Sequence, residues 1–525
     1  MKPIDQIMVG GLRFRPIDQI SSNYINSPDD MEKLERYIET QLKEYRLDTL
    51  LLEIHKHTLN NSFPDYPVFA FVALTKEVLL NCTMYGKLTS MPDEEFLEFI
   101  RILVELETYD PKFSNELKSN RKKAIASFLL RTIGKQVQWD RNIRYMLSRT
   151  LYLFEELIDH DSASEYIKDI VNSKFKKQFG VSLRDFIKIG AILFAGSSNQ
   201  KRGLRRDYLE KARNLGMPVP DDDTVRACLN LIACSPNQFK NDKLFIKYNL
   251  NPLLRYPIIR IWDNSDSDDP YDDKFIAPIP NLLMYRITIG LYYQLYNLFG
   301  EDFSREFGDL FELYVSKILD GFKLSSRVLS EDEVDIYIKS KGKKGWKPKR
   351  PDWTIFTEEG IILIECKATH YTNDMYERGI NAKSMACFKQ IRKSLVQFDN
   401  FEHQLPELCK KLGESLEDMK ILRVIVSFEP LWGLNDGPLK EYIDGRISRD
   451  WVIIPVEILE EIQPYIAKGA NLWSFISEFK LTPYHDFNKI IDRMESETGA
   501  KDSENMFREY RNKLFDELLR DVDDR

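Results

Sequence analysis

Asp352, Glu365 and Lys367 lie within sixteen residues of one another, in Arg350-Pro-Asp-Trp-Thr-Ile-Phe356 and Gly360-Ile-Ile-Leu-Ile-Glu-Cys-Lys367. Two carboxylates and one ammonium at this spacing suit hydrolysis of a phosphodiester around a bound hard cation. The carboxylates collect the ion, and the lysine steadies a water or the developing negative charge.

The elements that must position them can be read from the same stretch. Residues 352–356 are rich in β-branched and aromatic side chains, 357–360 carry polar turn chemistry, and 360–368 hold the apolar run Ile361-Ile-Leu-Ile364. Two strands and a tight connection are expected. Side chains alternate along a strand, so Glu365 and Lys367 project to one face and Ile364 and Cys366 to the other. A carboxylate on a strand this apolar is costly to bury unless a cation or an ion pair compensates it. Each residue also has a plainer use: Asp352 as a strand-start acid, Glu365 and Lys367 as a cross-face ion pair.

Pro351-Asp352 followed by Glu365-Cys366-Lys367 resembles the motif of the PD-(D/E)xK nuclease superfamily, which includes many restriction endonucleases and DNA repair nucleases. The resemblance implies a restriction-endonuclease-like α/β domain with a central mixed sheet. It also implies Mg²⁺, with Mn²⁺ as a substitute, held by Asp352, Glu365 and the Cys366 carbonyl, with Lys367 positioning or activating the water. The family core often opens with a helix bearing a further acidic ligand. Glu312 suits that role, at the margin of a helix whose stripe is Phe311, Val315, Ile318 and Phe322. A polar helix follows the motif strand in the family, frequently with a glutamine. Here Phe388, Ile391, Leu395 and Phe398 form the stripe, with Gln390 and Ser394 beside it.

Just upstream, residues 339–350 contain seven basic residues and no acid. Lys341, Lys343, Lys344, Lys347, Lys349 and Arg350 can track a phosphate backbone, and Trp346 can stack on a base. Such contacts give affinity rather than sequence choice. The expected activity is a Mg²⁺-dependent DNA endonuclease, with an RNase on the same fold and a catalytically inactive nucleic-acid or partner-binding protein as the alternatives.

The chain has 525 residues, 43% hydrophobic and 30% charged, enough for two or three domains. Its net charge of -8 argues against an indiscriminate nucleic-acid coat protein, whereas a localised basic groove remains compatible with it. Six cysteines without CxxC spacing fit reduced thiols, and no apolar run approaches the roughly 20 residues of a membrane span. A cytoplasmic protein without a membrane partner is expected. His55 and His57 read as surface residues rather than a metal pair, the acidic run 263–273 lacks the glycine and glutamate of an EF-hand, and no P-loop or GxSxG elbow occurs.

Residues 31–59, 68–82, 93–108, 122–137 and 141–158 place apolar residues at three- and four-residue intervals. The expected fold class is therefore multidomain α+β. An all-α N-terminal domain (1–250) and a connecting segment (251–300) precede the nuclease domain (301–480) and a C-terminal helical extension (481–525). A nuclease coupled to a helical sensor suits prokaryotic restriction or antiphage defence. It leaves room for a protein or phage-derived activator and for a homo-oligomer, since cutting both strands of a duplex usually takes two sites.

Overall fold

The computed structural model describes residues 7–9, 12–14 and 28–514, except 63–67, 109, 111, 137–144, 200–203, 206, 242–251, 262–273, 339–348, 372, 381–384, 416–418, 432, 436, 445–450, 482–486 and 511. The chain is mixed α/β and divides into two compact units, each assembled from separated stretches: 20–111, 132–303 and 509–525 in one, 1–19, 112–131 and 304–508 in the other. The sequential division at 250, 300 and 480 does not describe this arrangement. Periodicity identifies a helix but not the core it joins, and residues 112–131 join the second unit although the chain on either side of them belongs to the first.

In the first unit the helices Pro28–Leu42, Leu47–Asn60, Val68–Asn81 and Asp93–Thr108 share one core. Val68–Asn81 is apolar on nearly every face and is buried accordingly. The helical expectation for 1–250 overlooks two-residue strands at Leu204–Arg205 and Ala233–Cys234, too short to show a period of two. They flank the antiparallel pair Ile258–Arg260 and Lys274–Ile276 in a four-stranded sheet. The acidic run between that pair lies outside the described residues. His55 and His57 are not surface residues. His55 is fully buried with Nδ1 2.7 Å from the Ala277 carbonyl oxygen, and His57 packs on Phe96 at 4.6 Å between ring centroids.

The second unit is built on a five-stranded mixed sheet. Its elements are helix α1 (Ile289–Gly321, whose residues from Ser304 belong here), strand β1 (Arg327–Ser330), helix α2 (Glu331–Tyr337), strands β2 (Trp353–Phe356) and β3 (Gly360–Lys367), helix α3 (Met385–Glu402), helix α4 (Leu405–Leu412), strand β4 (Lys420–Ser427), strand β5 (Trp451–Pro455) and helix α5 (Val456–Ala467). The strand order is β5-β4-β3-β2-β1. Strands β1 and β2, and β2 and β3, pair antiparallel, while β3, β4 and β5 run parallel. Parallel strands need a crossover, which α3 and α4 supply between β3 and β4.

The motif strand β3 is central and buried along its apolar length, as its composition predicts. The turn feeding it requires glycine at 360, where a Cβ would come within 2.2 Å of the Lys420 carbonyl oxygen. The apolar stripe of α1 closes over one face, with Phe307 and Phe311 edge-on to Phe428 at 5.0 and 5.5 Å. Among the described residues no helix is long and apolar enough to cross a membrane.

Candidate active site

Register brings the motif together. Trp353 pairs with Ile364, so Asp352, one residue before β2, stands beside Glu365 and Cys366 at the end of β3. The Cys366 N–H donates to Asp352 Oδ2 at 2.6 Å. Lys367 Nζ donates to Glu365 Oε1 and, at 3.0 Å, to the Cys366 carbonyl. Glu365 is buried and Lys367 partly so. Glu365 Oε2 accepts a 2.6 Å hydrogen bond from Gln397 Nε2, which also reaches the Arg350 carbonyl.

The carboxylates sense one another. Burial first, then Asp352, pushes Glu365 up to about 8 in spite of the ammonium at its Oε1. Asp352 rises to about 6, chiefly through burial, with Lys367 and the Cys366 N–H opposing. Glu312, on α1, keeps solvent access, yet the protein mass around its carboxyl, together with Asp352, Asp309 and Glu331, lifts it to about 7. Burial works against the Lys367 ammonium, but Glu365 and Asp352 outweigh it and hold its pKa above the ordinary lysine value. The site therefore has more negative charge than its one lysine neutralises, in a partly dry setting where unpaired charge is costly.

Carboxylate and carbonyl oxygens are the donors a hard divalent cation takes. Among the described residues no three His, Cys, Asp or Glu side chains close around a single point. Lys367 occupies Glu365 Oε1 and the Cys366 carbonyl, so a cation would compete with it for both oxygens.

Gln390, the expected helix glutamine, is exposed, and Gln397 takes the place beside Glu365. The two lie on the same helical face, about 10 Å apart along the axis. A buried strand carboxylate in need of a donor is the signal that points to Gln397. Glu331 and Asp309 are further acids that sequence reading did not select. The backbone N–H of Glu331 donates to the Asp352 carbonyl at 3.0 Å, so the start of α2, closed by a Ser330/Glu333 capping box, brings its acid to the site.

Of the basic run, Lys341, Lys343, Lys344, Trp346 and Lys347 lie outside the described residues. Lys349 is exposed and close enough to Asp352 to favour its ionised form. Arg350 does not face a substrate. Its side chain is 1% exposed, with Nη1 on Asp335 and Nη2 donating to the Ile338 carbonyl at 2.9 Å, so it ties the end of α2 to the segment that leads into β2. Comparison with protein-family models, curated proteins and solved structures finds no match for the chain.

Proposed function

We propose that the protein is a metal-dependent DNA endonuclease on a restriction-endonuclease-like core, acting in prokaryotic restriction or antiphage defence. The observation that carries this reading is the group of carboxyls where β2 begins and β3 ends, with Glu312 of α1, each held above its ordinary value chiefly by the protein around it beside Lys367. Surplus buried charge of this kind has a use when a cation and a phosphate are to be bound. The central place of the motif strand in a mixed sheet supports the same reading.

Asp352, Glu365 and Glu312 would hold Mg²⁺ or Mn²⁺, which when bound supplies charge neutralisation at the phosphate and acidifies water. The chain's own contributions follow from its contacts. Lys367 stays protonated on Nζ and donates a hydrogen bond that positions the attacking water's oxygen or stabilises the phosphate's growing charge. Gln397 orients Glu365 through Oε2, and the Cys366 N–H fixes the Asp352 carboxylate through Oδ2. Lys349 supplies positive charge at the mouth of the site.

The test incubates wild type and Lys367→Ala with supercoiled DNA, linear DNA and RNA, in Mg²⁺ or EDTA. Wild type should nick supercoiled DNA in Mg²⁺ only, and the variant should not. Equal nicking by both proteins would remove Lys367 from the chemistry, and cleavage confined to RNA would replace the substrate. Binding without cleavage by either would leave a nucleic-acid-binding protein. Wild type, but not Lys367→Ala, should also lower phage plaque counts when expressed in a bacterial host.

A further inference from the structure

The chain does not pass directly from Lys367 on β3 to Gln397 on α3. It first forms the short helix Asn373–Arg378 and turns at Gly379 and Ile380. That turn is gripped by a helix from much earlier in the chain, Arg121–Gln136, which is braced by the helix before it, Phe113–Ser119; residues 112–131 belong to the same compact unit. The two helices close on each other through the Phe113 and Phe128 rings, 4.7 Å apart, and through Arg131, which donates to both oxygens of Glu116 at 2.8 and 3.3 Å. Their connection at Asn120 is capped by its own side chain, which accepts from the Lys123 N–H at 3.1 Å.

The grip itself is specific. Ser127 Oγ accepts a buried hydrogen bond from the Ile380 N–H at 3.1 Å, and Arg131 Nη1 reaches the Arg378 carbonyl at 3.5 Å. Ser127 and Arg131 are both buried. Gly379 has φ +67°, and a Cβ there would come within 2.5 Å of Ser127 Cβ and 2.8 Å of Arg131 Nη1. Glycine on one side and a small hydroxyl on the other are what this approach admits. Removing the Ser127 hydroxyl would leave the Ile380 N–H as a buried donor without its partner.

We propose that Ser127 and Arg131 are positioning residues for the candidate nuclease centre. Resting on the nuclease reading above, the inference is that they fix the Gly379–Ile380 turn and thereby set which turn of α3 presents its glutamine to Glu365. Lys367 and Gln397 hold opposite oxygens of Glu365, and the gripped segment is the chain that joins them. An error of one ångström in such a group costs far more in rate than in stability.

The experiment is a double-mutant cycle in the full-length protein with Ser127→Ala, Gln397→Ala and the pair, read by the rate of Mg²⁺-dependent nicking of supercoiled DNA. Hydrogen exchange across residues 375–380 is measured alongside. Ser127→Ala should slow nicking about tenfold, speed exchange at the turn, and have no further effect in the Gln397→Ala background, because both changes undo one contact. A general folding defect would instead multiply the two losses. Multiplicative losses, or wild-type nicking by Ser127→Ala, would overturn the proposal and leave the nuclease reading standing. A wild type that cleaves nothing overturns both. If Ser127→Ala does not fold, Arg131→Lys, which keeps the charge but loses the paired hold on Glu116, runs through the same cycle with the same outcomes.

Discussion

Two sets of buried polar groups, one in each unit, contrast. In the first, Arg286 donates to the Arg255 and Leu231 carbonyls at 3.1 and 3.4 Å, and His55 faces the Ala277 carbonyl at 2.7 Å. In the second, Glu365 and Asp352 share one lysine with Glu312 of α1 near them, and all three carboxyls are raised, chiefly by desolvation. A buried group satisfied by carbonyls stabilises one conformation, whereas a group of acids left short of cations costs stability and is retained for what it binds.

The contrast is broken most directly by substitution on each side. Lys367→Ala should lower the nicking rate by about 10²- to 10³-fold, the usual loss when one group that stabilises developing charge is removed. Asp352→Asn should abolish cation-dependent nicking while raising the melting temperature, because it removes one of the repelling charges. Arg286→Ala should do the reverse, costing about 3 kcal/mol by leaving two carbonyls and a cavity behind, with the folded fraction nicking normally. A stabilised Arg286→Ala, or a destabilised Asp352→Asn that still cuts, would dissolve the distinction between the units.

The acids also give the second unit a pH signature. Unfolded Asp and Glu titrate near 4, whereas in the fold these three are raised to about 6, 7 and 8. Between those limits the folded state holds more protons than the unfolded state, so stability falls as pH rises from about 4 to about 8. Melting curves without divalent cation should move down by a few degrees across that range. Added Mg²⁺ should flatten the slope and protect most at the alkaline end, because the cation replaces the departing protons. A slope unchanged by Mg²⁺ would mean that these carboxylates do not bind it.

How much of this was legible in the sequence depended on whether a signal was local. The run Ile361–Ile364 between a polar turn and Glu365 is enough to identify a buried strand, and alternation then places Glu365 and Lys367 on one face. The stripe Phe311, Val315, Ile318 and Phe322 likewise marks α1, and all four are buried. What failed depended on distance along the chain. The glutamine on Glu365 is Gln397 rather than Gln390, and because the two share one helical face the α3 stripe does not tell them apart. Residues 112–131 are amphipathic in a way that shows a buried face without naming its partner. Arg350 sits in a basic run, and charge alone does not reveal that its guanidinium is committed to Asp335 and Ile338.

The glutamine shift is a smaller test of the same site. Gln397→Ala should cost about tenfold in nicking rate, a loss of orientation rather than of a reacting group, and Gln390→Ala should cost nothing measurable. The reverse order would mean that the contact with Glu365 Oε2 is not the one used during cleavage.

The smallest expected effect separates two neighbours of one charge type. Lys349 is exposed beside Asp352, so Lys349→Ala should leave folding intact, weaken DNA binding a few-fold, and reduce the slope of log affinity against log salt by about 0.9, the share of one phosphate contact. Arg350→Ala should act through stability instead, because its buried side chain holds Asp335 and the end of α2 rather than a substrate. Its melting temperature should fall, while the salt slope of the folded fraction stays that of wild type. Equal slopes in wild type and Lys349→Ala would take Lys349 off the path of the DNA and leave Lys367 as the cation that meets it.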